Sequence, residues 1–472
     1  MFSVFRDFWA LSRAGYVMTR EGLLRFAPLE KLPPLARFGI RTARLLERRT
    51  SSNRKPRLSK ALNRLGPSWI KLGQFLSTRP DIVGETLARD LEELQDRLPP
   101  FSQQEAEKIL ENALGLPVKD VFASFGPPVA AASIAQVHRA QLKKDGVIED
   151  VAVKILRPNI GARFSRDLSA FFMGARLAER FVPASRRMKP VGVVETLAAS
   201  VALEMDLRLE GAALSEMADN IKDDEGFAIP SVKWDAVAQN VLTTEWMDGI
   251  PLSRLEAIDA AGHDRKTLAR SVMQNFLRHA LRDGFFHADM HQGNLMVGRN
   301  GELLAIDFGI MGRIGARERR FLAEILWSFI ARDYQRGADV HFEAGYVPPT
   351  QSRALFAQAL RAIGEPIQQK KASDISMARV LGQLVEYTEL FAMETRLELV
   401  MLQKTMVVAE GVARSLDPEL DMWATAEPVV SEWMRDNLGP KGQAKQALET
   451  GRQFGRFLSQ LPQHLRDFEA IK

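Results

Sequence analysis

Beyond a polar segment at Asn53-Arg54-Lys55-Pro56-Arg57, apolar residues return every three or four positions. The run from Leu58 to Leu76 sets Leu62, Leu65, Trp69, Leu72 and Leu76 along one side of a predicted helix. Pro99-Pro100 ends the next helical stretch. Ser102-Gln103-Gln104-Glu105 opens another, with Glu at the fourth position, and Gly115 stops it. The period then changes to alternation. Ile134 to Leu142 and Asp150 to Leu156 read as strands joined through Lys143-Lys144-Asp145-Gly146, and Ile229 to Trp234 with Val241 to Met247 as a second pair closing around Gln239-Asn240. Between the pairs, 160–221 is helical in pattern, with a joint at Pro183 and Pro190. After Gly249 the chain reads as helical again except for one hairpin flanking Asn300-Gly301. The order is a helical preamble, a small mixed sheet lobe and a larger helical lobe, without an internal repeat.

Composition narrows the class. A chain of 472 residues allows two or three domains, and 46% hydrophobic with 26% charged residues excludes wholesale disorder and fibrous repeats. Cysteine is absent, which removes disulfide scaffolds, zinc-thiolate sites and cysteine nucleophiles. No run of about 18 apolar residues and no signal-peptide core is present, so the chain is expected to stay on the cytoplasmic side. The net charge of +5 hides an asymmetry. Residues 1–64 hold 15 Lys and Arg against four acidic residues, a local +11, and the remainder carries −6. A basic arm suggests an anionic partner. Phe2, Phe5, Phe8, Trp9 and Leu11 recur at helical spacing beside Arg6 and Arg13. That pattern fits a helix lying in an anionic phospholipid interface, or equally an amphipathic helix packed on the body. Nucleic acid is not expected, because no recognition motif follows. A second candidate anchor sets Phe454, Leu458, Leu461, Leu465 and Phe468 among Arg452, Arg456 and Arg466, interrupted by Pro462.

The strongest chemical signal lies around Asn300-Gly301, the residue pair of a two-residue type I′ turn. A turn centred there sets Asn294 opposite Asp307, bringing together an amide oxygen and a carboxylate, hard ligands suited to Mg²⁺. Asp289 precedes Asn294 by five residues, and Asp307 opens Asp307-Phe308-Gly309. An acid, Asn at plus five, then Asp-Phe-Gly after a hairpin is the order in which kinases hold a catalytic base and two metal ligands. Two other readings apply here. His287, Asp289 and His291 alternate as a hydrolase metal triad would, although Gln292-Gly293 breaks such a strand; or these residues are turn formers with His287 in the core. In Val151-Ala152-Val153-Lys154, alternation sends Lys154 to the face opposite Val151, Val153 and Ile155, where its charge can pair with phosphates. Its acidic partner is expected on the following helix, from Glu204-Met205-Asp206 or Glu210. Glu204 and Glu210 are six apart, so only one is expected to reach Lys154.

Lys71-Leu72-Gly73-Gln74, Ala130 to Val137, Val151 to Lys154, Glu204-Met205-Asp206, His287 to Asn294 and Asp307-Phe308-Gly309 together resemble the UbiB/aarF-domain family of atypical protein-kinase-like proteins over roughly residues 60–315. The resemblance implies an α+β, two-lobed protein-kinase-like fold with a mostly helical N-terminal extension. The expected segments are 1–57 basic and amphipathic, 58–118 helical extension, 119–247 N-lobe, 248–438 C-lobe and 439–472 a C-terminal amphipathic helix. It implies support of ubiquinone biosynthesis at a membrane, with ATP or ADP and Mg²⁺ as cofactors and a polyprenylated quinone precursor or its biosynthetic enzymes as partner. The expected place is the cytoplasmic face of a bacterial inner membrane, peripherally bound.

Carried over by residue, Lys154 matches the phosphate-binding lysine and Glu204 its ion-pair partner; Asp289 matches the catalytic acid, and Asn294 and Asp307 the metal ligands. Glu245 to Met247 would meet adenine. Ala131, Ala132 and Ser133 replace a glycine-rich phosphate loop, and each Cβ restricts approach to phosphate. Lys71 and Gln74 would cover the nucleotide from the extension. Ala288 stands where peptide kinases hold a phosphorylated segment with Arg, and no Ala-Pro-Glu follows Gly309, so peptide phosphorylation in trans is not expected. An atypical kinase or ATPase is the leading reading; an inert nucleotide-gated scaffold and a small-molecule phosphotransferase are the alternatives.

Overall fold

The computed structural model describes residues 2–26, 39, 42–47, 58–77, 83–92, 94, 98–368, 387, 390–393, 397–440, 442 and 444. The polar segment at 53–57 and the anchor expected at Phe454 to Phe468 lie outside these residues. The chain forms two compact units, Met1–Glu216 with Pro230–Met247, and Met217–Ile229 with Asp248–Lys472.

In the first unit, helix α1 (Phe2–Arg20) is followed by α2 (Leu58–Leu65), α3 (Pro67–Ser77) and α4 (Glu85–Glu92). The single helix expected over Leu58 to Leu76 is two. Gly66 takes a left-handed backbone (φ +108), and Pro67, which bars its predecessor from helical geometry, starts α3. Gly73 has a packing reason: a Cβ there would collide with the side chains of Leu94 and Leu62. Helix α5 (Gln103–Leu114) has the expected reciprocal cap between Ser102 and Glu105 and ends at left-handed Gly115.

Strands β1 (Phe122–Ala131), β2 (Ala135–Lys144), β3 (Val147–Leu156) and β4 (Val241–Glu245) form one antiparallel sheet in that order. Strand β1 went unseen in the sequence pattern because Gly126-Pro127-Pro128 interrupts alternation. It is an edge strand, and its register slips on both sides of Pro128, where prolines are tolerated. Strands β2 and β3 join through Asp145-Gly146, both at positive φ, with Lys144 opposite Val147. Ala106 and Leu110 of α5 pack with Phe122, Ala140, Val151, Val153 and Ile155, so the odd positions of β3 enter the core as alternation required. The strand expected at Ile229 to Trp234 does not form; one bridge links Val232 to Thr244, because Pro230 offers no N–H and Trp234–Ala236 winds into a 3₁₀ turn.

Helix α6 (Ile160–Phe181), a 3₁₀ joint (Pro183–Met188), α7 (Pro190–Glu204) and α8 (Leu207–Ile221) follow β3, with the joint at the two prolines as expected. Helix α1 runs parallel to α6. Buried Asp7 accepts a hydrogen bond from Ser169 and Leu11 lies against Gly174, while Phe5, Phe8 and Trp9 are 74%, 62% and 62% exposed.

The second unit contains more strand than the expected single hairpin. Strands β5 (Phe285–His287) and β8 (Met311–Arg313) pair antiparallel, as do β6 (Leu295–Val297) and β7 (Leu303–Ala305). At three residues each, β5 and β8 are too short to announce a period. Around them stand α9 (Arg265–Arg278), α10 (Ala316–Ile330), α11 (Tyr334–Glu343), α12 (Arg353–Gln368), α13 (Leu397–Leu416) and α14 (Met422–Leu438). Among the described residues no helix is long and apolar enough to cross a membrane.

Candidate active site

In the first unit, Lys154 projects from β3 on the face opposite Val153 and Ile155. Its Nζ lies 2.7 and 3.0 Å from the two carboxylate oxygens of Glu210. Glu204, the expected partner, instead holds Lys71 at 2.6 Å. The sequence pattern treated both glutamates as one helix, but the helix breaks at Met205-Asp206. Glu204 therefore ends α7 and Glu210 lies in the first turn of α8. The middle carboxylate, Asp206, accepts from the backbone N–H and guanidinium of Arg208, and those bonds hold its pKa below the usual carboxylate range. Each of the three acids thus has its own cation. Gln74 lies on α3 three residues beyond Lys71, partly buried.

The alanine-rich turn is pinned. Ala131 ends β1 opposite Gln136, the Ala132 N–H donates to the Ala135 carbonyl at 2.8 Å, and Ser133 is fully buried. Arg157 donates from Nε and Nη2 to the Ala132 carbonyl at 3.0 and 2.9 Å. Sequence reading missed Arg157. Its one available signal is register, since Leu156 pairs with Ala135 and the next residue falls level with the turn. At the far edge of the sheet, Glu245 accepts from Ser231 through its side chain. The N–H groups of Glu245 and Trp246 are already given to Ser231 and Asp150 carbonyls, while Met247 is the last residue of the unit.

In the second unit, the loop 288–294 between β5 and β6 and the loop 306–310 between β7 and β8 lie side by side, tied by Ala288 N–H to Ile310 O and Ile306 N–H to Asn294 O. Asn294 therefore stands opposite Ile306, not Asp307. The hairpin loop holds three residues, Arg299-Asn300-Gly301, with Gly301 at φ +86, which moves the register by one from a two-residue turn. Asn294 still belongs to the loop of Asp289: its Nδ2 donates to the Asp289 carbonyl at 3.0 Å, a bond that does not use Oδ1. Asp307 is partly buried, and its Oδ1 accepts the Gly309 N–H at 2.9 Å.

His287 is a core histidine with a further task. It is 2% exposed, its Nδ1 accepts the Asp289 N–H at 3.0 Å, and burial holds its pKa below the usual value against the pull of the Asp307 and Asp289 carboxylates. Its proton therefore sits on Nε2. Among the described residues no group of three or more His, Asp or Glu is arranged to hold a metal, and His287 gives its Nδ1 to the Asp289 N–H rather than to a triad. Helix α13 braces the same loop: Thr405, fully buried, donates to the Ala288 and Met401 carbonyls at 3.1 and 2.9 Å, and Gln292 donates to Ser415 at 2.6 Å. No sequence signal marked these residues.

A sheet lysine paired with a helix glutamate in one unit, and an Asp, Asn, Asp series on two tied loops in the other, define a kinase-like protein. Residues 93–341 match the ABC1 atypical kinase-like domain, and residues 360–421, which include Thr405 and Ser415, match the UbiB helical domain. Curated relatives named "Probable protein kinase UbiB" from Marinobacter nauticus and Aeromonas hydrophila are each 38% identical over 441 and 442 residues, covering 92% of this chain and 80% and 81% of theirs. A solved structure, the Rv3197–erythromycin complex from Mycobacterium tuberculosis, aligns at a TM-score of 0.52 and 25% identity, covering 78% of this chain and 93% of that one. The chain belongs to the UbiB family of atypical kinases.

Proposed function

We propose that the protein binds a magnesium–adenine nucleotide, acts on it as an atypical kinase or ATPase, and supports ubiquinone biosynthesis at a bacterial membrane by making polyprenylated precursors accessible. The observation that carries this reading is the pair of tied loops with Asp289, Asn294 and Asp307. The oxygens fit Mg²⁺: Asn294 uses its amide nitrogen on the loop, which leaves the amide oxygen for a cation, and Asp307 supplies a partly buried carboxylate. Bound there, the ion would neutralise phosphate charge. Asp289, its backbone fixed by His287 and Asn294, would orient the attacking hydroxyl or water and take its proton. Lys154, aligned by Glu210, would bind phosphate as a point charge. Since Glu245 and Trp246 have committed their N–H groups, Met247 is the residue of that segment proposed to donate to adenine.

The membrane part of the reading rests on α1, which buries Asp7 and Ala14 against its own unit and leaves Phe5, Phe8 and Trp9 to solvent. Such a face suits an anionic phospholipid interface, with the protein peripheral to it. The pinned alanine-rich turn gives weight to a second reading, an inert nucleotide-gated scaffold, because Arg157 removes the loop freedom that close phosphate approach uses.

Turnover separates the two. Asp307→Asn and Asn294→Ala should weaken Mg–ADP binding in calorimetric titration, while Asp289→Asn should keep binding and lose about 100-fold of phosphate release. Unchanged affinity in Asp307→Asn would remove the metal site. Absent turnover in the parent with nucleotide binding intact would leave the scaffold.

A further inference from the structure

The joint between α6 and α7 gathers more cations than anions. Arg176, Arg180, Arg186 and Lys189 line a shallow depression of about 530 Å³ with Glu179, and all four cations are exposed. Glu179 offsets only one of the four charges: its Oε1 accepts the Val191 N–H at 3.1 Å and, among the described residues, it forms no ion pair with the cations, so the depression keeps a net positive charge. Among the described residues none of the four forms an ion pair, whereas exposed Arg139, Arg208 and Arg353 each lie against a carboxylate. The Arg186 Nε donates to the Glu179 carbonyl at 2.7 Å and Arg180 stacks on Phe181, so two of the four are held in place. Like charges kept together repel unless an anion joins them.

Apolar side chains stand at the same place. Phe181 is 63% exposed and Leu177 42%. The parallel run of α1 along α6, fixed by Asp7 with Ser169 and Leu11 with Gly174, brings Tyr16 and Arg20 level with this end of α6. Tyr16 is half exposed and hydrogen-bonds Arg20. The helix pair thus carries an aromatic stripe (Phe5, Phe8, Trp9, Tyr16) and, at one end, a depression of net positive charge with Phe181 beside it. Cations at phosphate depth beside aromatics are the chemistry of a lipid–water interface.

We propose that this depression binds the phosphate of anionic phospholipid headgroups and sets how the first unit sits on the membrane. The proposal rests on the membrane reading above and adds a particular site to it. Each cation removed from an anionic surface weakens binding about fivefold.

Full-length protein is sedimented with vesicles of phosphatidylglycerol and phosphatidylcholine at several salt concentrations. The fourfold variant Arg176→Gln, Arg180→Gln, Arg186→Gln, Lys189→Gln should bind at least twentyfold more weakly, with an unchanged thermal midpoint. A charge-matched control, Lys108→Gln, Lys119→Gln, Lys222→Gln, Lys266→Gln, changes four exposed lysines elsewhere and should bind like the parent. Equal loss in both variants would overturn the site in favour of diffuse charge. Parental binding by the fourfold variant, with loss in Phe5→Ser, Phe8→Ser, Trp9→Ser, would overturn the site and leave the membrane reading standing. A parent that stays in the supernatant would end both. Tight binding of a single-stranded oligonucleotide, lost in the fourfold variant while vesicle binding persists, would reassign the depression to nucleic acid.

Discussion

Lys154 shows how one residue's role depends on a partner that spacing cannot choose. Three carboxylates follow within a short stretch, and a break of two residues between α7 and α8 hands Glu204 to Lys71 and Glu210 to Lys154. Glu210→Gln should lower Mg–ADP affinity about tenfold, because a charge-assisted contact that aligns Lys154 is lost. Glu204→Gln should leave that affinity near the parent's and loosen Lys71 instead. Titration of the two variants against Mg–ADP tests the assignment, and the reverse ranking would return Glu204 to the phosphate lysine. Lys154 itself was legible, because alternation in Val151 to Ile155 is a local property. Its partner was not.

At the scale of elements, α13 makes the UbiB helical domain part of the loop that holds Asp289. Thr405 on the Ala288 carbonyl fixes the backbone one residue before the acid, in a chain where Ala288 carries no side chain able to do so. Thr405→Val should therefore reduce kcat about tenfold with KM for ATP little changed, and Thr405→Ser should restore it. Loss of thermal stability without the kcat change, or failure of the serine to rescue, would make Thr405 a packing residue only. The β6–β7 hairpin teaches a related point. Asn300-Gly301 announced a turn, yet the loop holds three residues, and the extra one places Ile306 rather than Asp307 across from Asn294. Asn294 is tied to the Asp289 loop through its side chain and is not set opposite Asp307 by the two strands.

For the molecule as a whole, buried histidines link folding to pH. Burial pushes His341 down to about 4, and it also lowers His138 and His279. The unfolded chain protonates these groups near 6.5, so their neutral burial costs nothing above that pH, and stability falls as pH drops from 6.5 toward 4. His341 alone accounts for about 3 kcal/mol by pH 4. Thermal midpoints should decline across this range, and His341→Gln should flatten the decline; an unchanged slope would show that other groups carry it. What the sequence determined by itself was what local physics encodes: the Ser102 cap, the Asp145-Gly146 turn, the burial face of β3, the joint at Pro183 and Pro190, and the ordered Asp289, Asn294 and Asp307. Tertiary structure decided which carboxylate meets which lysine, how Arg157 pins Ala132, how α13 braces the loop that holds Asp289, and which face of α1 remains in water. Those contacts join residues far apart in the chain, where a helix break or one inserted loop residue redirects a side chain, and no local period records either.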